Sequence, residues 1–405
     1  MTIHRFSALF VLLCCGALAR VSAQGGGAPI GVPHTLTTLP LDSEGLAVDR
    51  DTGTLYTAES PDSSGDCIVR SITMTAVVSF VGVIPRPVGE PCAPRGLEFR
   101  EGHIYIADQG TGANGWVFEM DPATGQATTF AVGVAGANGL AFDWRGSLWI
   151  TDGLRGFGRV YRRSAATGVV EEMVRVPPVA NGPTYGGRVN VPNASGIGRL
   201  IANVPSGPAG EVKHVANGIA VVDPFDDEAA RAGAHGQSPL TTVYVADTAR
   251  GAVWAIHLNR RGDVAPGQTG CDPTLQQDTL CDDALFIADP RLEGADGLWA
   301  GGDGTLWVSV AARQALVRID RHREVTEIFR NPVNSQLLRS SADTADGNTH
   351  LLEYPTSVVI VPRAGSARLP KICVTSSDRP GRDNWPGTVG EIGAPGQDKG
   401  KISCF

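Results

Sequence analysis

Helical periodicity is scarce in this chain. Few stretches place apolar residues at three- and four-residue spacing, which argues against a helical bundle or a doubly wound α/β fold. Positive charge is also in short supply. Lys and Arg number 34 against 42 Asp and Glu, for a formal net charge of −8. No basic surface therefore argues for a nucleic-acid partner. Cys-x-x-Cys does not occur, so a zinc site is not suggested. Gly-x-Ser-x-Gly, His-Glu-x-x-His and the P-loop are missing too, which removes the nucleophile-elbow, zincin and nucleotide-hydrolysing classes. The apolar run from Phe6 to Leu18 is too short to span a bilayer.

Glycine, in contrast, is abundant: 51 of 405 residues. Part of it recurs in one pattern, a polar or charged residue, then Gly, then a short apolar run. Glu44-Gly45-Leu46-Ala47-Val48 is the first copy. Asn138-Gly139-Leu140-Ala141-Phe142, Asn217-Gly218-Ile219-Ala220-Val221 and Asp296-Gly297-Leu298-Trp299-Ala300 repeat it. Arg95-Gly96-Leu97-Glu98-Phe99 is a variant, and Thr356-Ser357-Val358-Val359-Ile360 a weaker one. A turn and a second strand-like run follow each copy, as in Thr54–Ala58, His103–Ala107 and Ser147–Thr151. A unit repeated in this way predicts a repeat architecture.

The N-terminus carries a secretory pattern. Basic residues His4 and Arg5 precede the apolar run, and Val21-Ser22-Ala23 offers small residues for cleavage. Met1–Ala23 is thus expected to be a signal peptide, with no membrane association after its removal, and residues 24–33 a flexible lead-in. Cys14 and Cys15 leave with the signal. Cys67, Cys92, Cys271, Cys281, Cys373 and Cys404 remain, an even number that suits disulfides in an oxidising compartment. The expected set joins sequence neighbours: Cys67 with Cys92, Cys271 with Cys281, Cys373 with Cys404. The location expected is secreted or periplasmic.

Residues 34–405 read as a single domain, since no interior stretch looks like an interdomain linker. Spacing between copies is short from Gly45 to Gly96 to Gly139 and longer afterwards. The longer intervals hold insertions at Pro177–Ala216, Pro224–Leu240, Gly262–Asp283 and Pro332–Tyr354. Six units of four strands predict an all-β fold, a six-bladed β-propeller. His34–Leu39 is expected to close the ring as the outermost strand of the last blade, removing open sheet edges.

In such a ring the residue before each Gly points toward the axis from a different blade. Those residues are Glu44, Arg95, Asn138, Asn217, Asp296 and Thr356. Asn-Gly and Asp-Gly are also common turn dipeptides. Here, however, the dipeptide precedes the strand at the same place in each unit, and Glu-Gly is a poor turn. Glu44, Asn138, Asn217 and Asp296 together offer two carboxylates and two amides. Oxygen-only donors carrying two negative charges suit Ca2+ or another divalent cation.

The repeat resembles the six-bladed propellers of the gluconolactonase/regucalcin (senescence marker protein) group. More distantly it is similar to the paraoxonases and phosphofluoridases. The resemblance spans roughly Leu41 to Asp378. It implies a calcium held by Glu from blade one, Asn from blades three and four, and Asp from blade five, which Glu44, Asn138, Asn217 and Asp296 match. It also has departures. Arg95 and Asp108 stand where the paraoxonases carry two catalytic histidines, and Gly297 stands where they have Asn.

Residues and resemblance together predict a secreted calcium-dependent hydrolase, a lactonase or esterase for a small lactone or ester such as that of a sugar acid. Asp296 or Glu44 would act as general base on water or attack directly, and Arg95 would orient an anionic or sugar-acid substrate. Asp108, Asp152, Asp247 and Asp378 end second strands and are expected to cap turns, Asp108 also being the one expected to reach the pocket and bind substrate. His214 in the Pro177–Ala216 insertion would also contact substrate. Two rivals stand beside this reading. One is a non-catalytic binding propeller. The other is a condensing enzyme like strictosidine synthase, which would rest on Glu353.

Overall fold

The computed structural model describes residues 31–86, 89–110, 114–153, 157–178, 216–223, 241–301, 303–330, 352, 354–362, 370–377 and 400–405. Val32–Phe405 forms one compact unit. It contains six four-stranded antiparallel sheets, each built from consecutive strands except the last. Innermost strands start each blade: Ala47–Val48, Pro94–Arg100, Leu140–Phe142, Ala216–Val222, Ala295–Ala300 and Pro355–Val361. Each touches the innermost strands of the blades on either side, so the six close into a six-bladed β-propeller. Helical structure among the described residues is limited to short 3₁₀ turns such as Asp282–Ala284 and Pro290–Leu292. No helix among them is long and apolar enough to cross a membrane.

The closing strand is the one expected. His34–Thr38 pairs antiparallel with Gly400–Cys404, from His34 opposite Cys404 to Thr38 opposite Lys401. The last blade thus runs Pro355–Val361, Lys371–Ser377, Gly400–Cys404, His34–Thr38. Both ends of the folded chain are held in one sheet, so unfolding either end opens the ring. All three disulfides join the expected partners. Cys373 and Cys404 lie directly opposite each other on neighbouring strands of that same blade.

Burial explains why the middle strands do not alternate between apolar and polar residues. Every blade is sandwiched between two others, so Leu55–Ala58, Leu148–Thr151 and Leu306–Val310 are buried along their whole length. Outermost strands such as Val78–Val83 are partly exposed. The apolar core is accordingly distributed between blades rather than gathered at one centre. Trp149 and Trp254 lie in the layer between blades three and four, and Leu306 and Val308 in the layer between four and five.

The Gly262–Asp283 insertion reaches sideways. Thr279 bridges Arg175 in parallel on the outer edge of blade three. Arg175 N–H donates to Asp278 O and Leu280 N–H to Arg175 O, both at 2.9 Å. The Cys271–Cys281 loop thus covers an exposed sheet edge of the neighbouring blade. Met1–Ala23, most of Pro177–Ala216, all of Pro224–Leu240, most of Pro332–Tyr354, Glu353 and Asp378 lie outside the described residues.

Candidate functional site

The recurring glycines owe their place to backbone approach. A Cβ on Gly45 would fall 2.1 Å from Arg95 O. On Gly96 it would fall 2.3 Å from Asn138 O, on Gly139 2.6 Å from Asn217 O, on Gly218 2.1 Å from Asp296 O, and on Gly297 2.6 Å from Thr356 O. Each glycine therefore packs on the carbonyl of the polar residue of the next blade. The sixth contact uses hydroxyls instead: Thr356 Oγ1 and Thr375 Oγ1 donate to Glu44 O at 2.7 and 3.0 Å. Around the axis runs a closed chain of carbonyls, with a polar side chain on every carbonyl-bearing residue.

Local geometry re-aims those side chains. Register shifts fall at Pro94/Leu97, Ala216/Ile219, Ala295/Leu298 and Pro355/Ser357. Arg95-Gly96, Asn217-Gly218, Asp296-Gly297 and Thr356 thus sit in β-bulges, which bend a strand and redirect a side chain. These four are bulges within the innermost strands, while Glu44-Gly45 and Asn138-Gly139 lie just before theirs.

Glu44, Arg95, Asn138 and Asp296 are each 7% exposed and Asn217 3%. Glu44 Oε2 is in an ion pair with Arg95 Nη1 across the blade boundary. Arg95 also donates through Nε and Nη2 to Gln109 Oε1, at 2.9 and 2.5 Å. Asn217 Nδ2 donates to Thr248 Oγ1 at 3.1 Å, and Thr248 Oγ1 donates on to Ala295 O at 2.6 Å. That chain fixes which way the amide faces. Asn217 Oδ1 is left buried without a hydrogen-bond partner among the described residues. An oriented, unsatisfied acceptor of this kind costs about 1–3 kcal/mol unless something binds it.

The donor set fits a hard cation. Two carboxylates and two amides supply oxygen alone, and one amide oxygen is already turned away from its protein partners. Among the described residues no group of three or more His, Cys, Asp or Glu side chains comes together. A cation in the ring therefore depends on the amide oxygens of Asn138 and Asn217.

Two of the acids at the ends of the second strands, Asp108 and Asp247, behave as caps, whereas both Asp152 carboxylate oxygens are buried without a hydrogen-bond partner among the described residues. Asp108 is 1% exposed, and its two oxygens accept from Ala93 N–H at 3.1 Å and Gly110 N–H at 2.9 Å. Burial raises its pKa against those bonds and the nearby Arg95. Asp108 does not line the axial cavity. Asp247 accepts from Arg250 Nη1 at 2.9 Å and Trp254 Nε1 at 3.1 Å. Arg250 in turn donates to Pro177 O and Pro178 O, fixing the first residues of the long insertion. Burial holds the Asp152 carboxyl well above the ordinary range. His214 lies outside the described residues.

The residue after each of these acids is the one that touches the ring. Gln109 follows Asp108 and holds Arg95; Thr248 follows Asp247 and holds Asn217. Gly153 follows Asp152 and packs on Asn138, where a Cβ would lie 2.3 Å from Nδ2. Sequence reasoning singled out the acids and missed their neighbours. The signal available was position: each neighbour stands one step beyond the same strand end.

Below the ring the innermost strands enclose a cavity of about 560 Å³, extending to the turns at Asp49–Asp51 and Arg100–Gly102. Glu98 lines it. Burial pushes the Glu98 carboxyl up to about 7 from its ordinary 4.5, against the pull of Arg50 and Arg100. The folded state therefore holds a proton that the unfolded state has released between pH 4.5 and about 7. Stability contributed by this group falls as pH rises through that window. Glu98→Gln is expected to match wild type below pH 4.5 and to exceed it above about 7, by about 1–2 kcal/mol. Urea melts of both proteins across that range check the crossing.

No protein-family model matches the chain, and no curated protein matches it. Solved structures do. A calcium-binding protein, regucalcin from Agrobacterium tumefaciens, superposes with a TM-score of 0.50 at 16% identity over 93% of each chain. A luciferin-regenerating enzyme gives 0.50 at 13% identity, covering 92% of this chain and 94% of the other. A gluconolactonase from Xanthomonas campestris gives 0.48 at 14% identity, covering 93% of this chain and 91% of the other. At these identities the likeness is one of fold.

Proposed function

We propose that the chain is a calcium-dependent hydrolase of small lactones or esters, working outside the cytoplasm. The observation that carries this reading is the Asn217 amide, turned so that a buried oxygen stands ready for a cation. Glu44, Asn138, Asn217 and Asp296 would hold the ion. When bound, calcium supplies electrophilic polarisation of a carbonyl and stabilisation of the developing oxyanion. Asp296 accepts a proton from the attacking water. Glu44 is the weaker candidate, because a carboxylate paired with a guanidinium is a poorer base. Arg95, braced by Gln109, favours substrates that carry a carboxylate or similar anion. Three disulfides support an oxidising location.

A second reading has its own observation. The Arg95–Glu44 pair, held by Gln109, ties blades one and two without any metal, as a non-catalytic binding propeller would need. One experiment separates the two. Purified protein is assayed for bound metal and run against a panel of lactones and esters, with and without chelator. Hydrolysis lost on chelation and restored by calcium is expected. Full activity in metal-free protein would sink the calcium mechanism; no metal and no hydrolysis would favour the binding module.

A further inference from the structure

Five of the six residues at the recurring ring position are neutral or acidic; blade two contributes the guanidinium of Arg95. Resting on the calcium reading above, we infer that Arg95 is a built-in competitor of the cation: its guanidinium occupies Glu44 and sets the affinity of the ring below what the four oxygen donors alone would give. Guanidinium stays charged at any pH the fold survives. Its side chain is 8% exposed and that of Glu44 7%, so water and salt screen the pair weakly. Gln109 Oε1 takes both Nε and Nη2, which leaves Nη1 aimed at Glu44 Oε2.

A dication entering the ring has two courses. It can draw Glu44 away from Arg95, losing the ion pair, or it can use the other donors and lie near a fixed positive charge. Both weaken binding relative to a ring with a neutral residue at position 95. The same contact gives the metal-free ring its order, because it pairs a buried carboxylate whose charge would otherwise go uncompensated. Arg95 therefore exchanges calcium affinity for stability of the metal-free protein. A purely structural Arg95 would alter stability alone.

Calcium chloride is titrated calorimetrically into metal-free wild type, Arg95→Gln and Arg95→Lys, with thermal melts of each. Arg95→Gln is expected to bind calcium at least ~10-fold tighter than wild type, about 1.4 kcal/mol, while melting lower without calcium. Arg95→Lys keeps the charge and should bind within a few-fold of wild type. Equal or weaker binding by Arg95→Gln, with wild type binding calcium, overturns the competition and leaves the calcium reading standing. If no protein in the set binds calcium at millimolar concentration, the calcium reading itself falls. Should the Arg95 variants misfold, Gln109→Leu releases the guanidinium from its brace without substituting any of the four oxygen donors. It should tighten calcium binding in the same direction, and unchanged affinity there also overturns the inference.

Discussion

Gly218→Ala is expected to prevent the ring from closing. The added Cβ would lie 2.1 Å from Asp296 O, 2.6 Å from Leu298 N and 2.8 Å from Gly297 C. All three are backbone atoms of the innermost strand of the next blade, so no rotamer change relieves the clash. Separation must come from moving whole blades, and four other glycine contacts of the same kind, with the hydroxyl contact at Glu44 O, fix the spacing around the axis. Overpacking a core ordinarily costs about 1–3 kcal/mol; a backbone clash in a closed ring belongs at or beyond the top of that range. Against a total stability of roughly 5–15 kcal/mol, the variant should be insoluble or melt far below wild type. Gly133 makes a suitable control. It has φ +78 and no atom within 4 Å of an added Cβ, so Gly133→Ala carries only left-handed backbone strain, about 1 kcal/mol. Soluble yield and thermal melts of both variants decide it. A Gly218→Ala protein that melts close to wild type would mean that the innermost strands do not depend on backbone contact at this glycine.

That glycine also marks how far the sequence could be read. Strand positions were legible because each blade repeats the same two-strand signal, and boundaries fall within a residue or two, as for Leu55–Ala58 within the expected Thr54–Ala58. Closure by the N-terminal strand was legible because an unpaired strand before the first repeat has one place to go. The Cys373–Cys404 disulfide was legible because strands close in sequence are adjacent in a meander. The ring residues were legible as a set from their common offset to Gly.

What escaped is the reason for that offset. Only the register of paired strands reveals a bulge, since the extra residue is counted against its partner and not against its own neighbours. The Glu44–Arg95 contact joins residues 51 apart in sequence, on different blades. A residue-by-residue reading gave Arg95 a substrate and Glu44 a metal, without pairing them. Gln109, Gly153 and Thr248 were invisible for a similar reason. Each acts on a side chain of its own blade's inner strand, and residue type alone singles out none of them. The bland reading of Asp108, a cap on a turn, agrees with its two backbone hydrogen bonds.

Asp296→Asn is expected to lower kcat/KM by about 10²–10⁴-fold on whichever lactone or ester the wild type hydrolyses. The substitution keeps an oxygen at the ring and nearly the same volume, but removes one negative charge and the ability to accept a proton. Two consequences separate these losses. Weaker calcium binding can be overcome by adding calcium; loss of a base cannot. Asn217→Ala provides the contrast. It deletes the oriented Oδ1, together with the bond to Thr248, yet leaves both carboxylates in place. Its activity should fall at low calcium and return toward wild type as the ion is raised. Glu44→Gln should behave between the two, since it removes a charge from the ring and also strands Arg95. Activity is therefore measured for each variant as a function of calcium, with binding followed separately by calorimetry. Asp296→Asn should reach calcium saturation and remain slow. If it regains the wild-type rate once saturated, Asp296 serves only to hold the ion, and the proton must pass to Glu44.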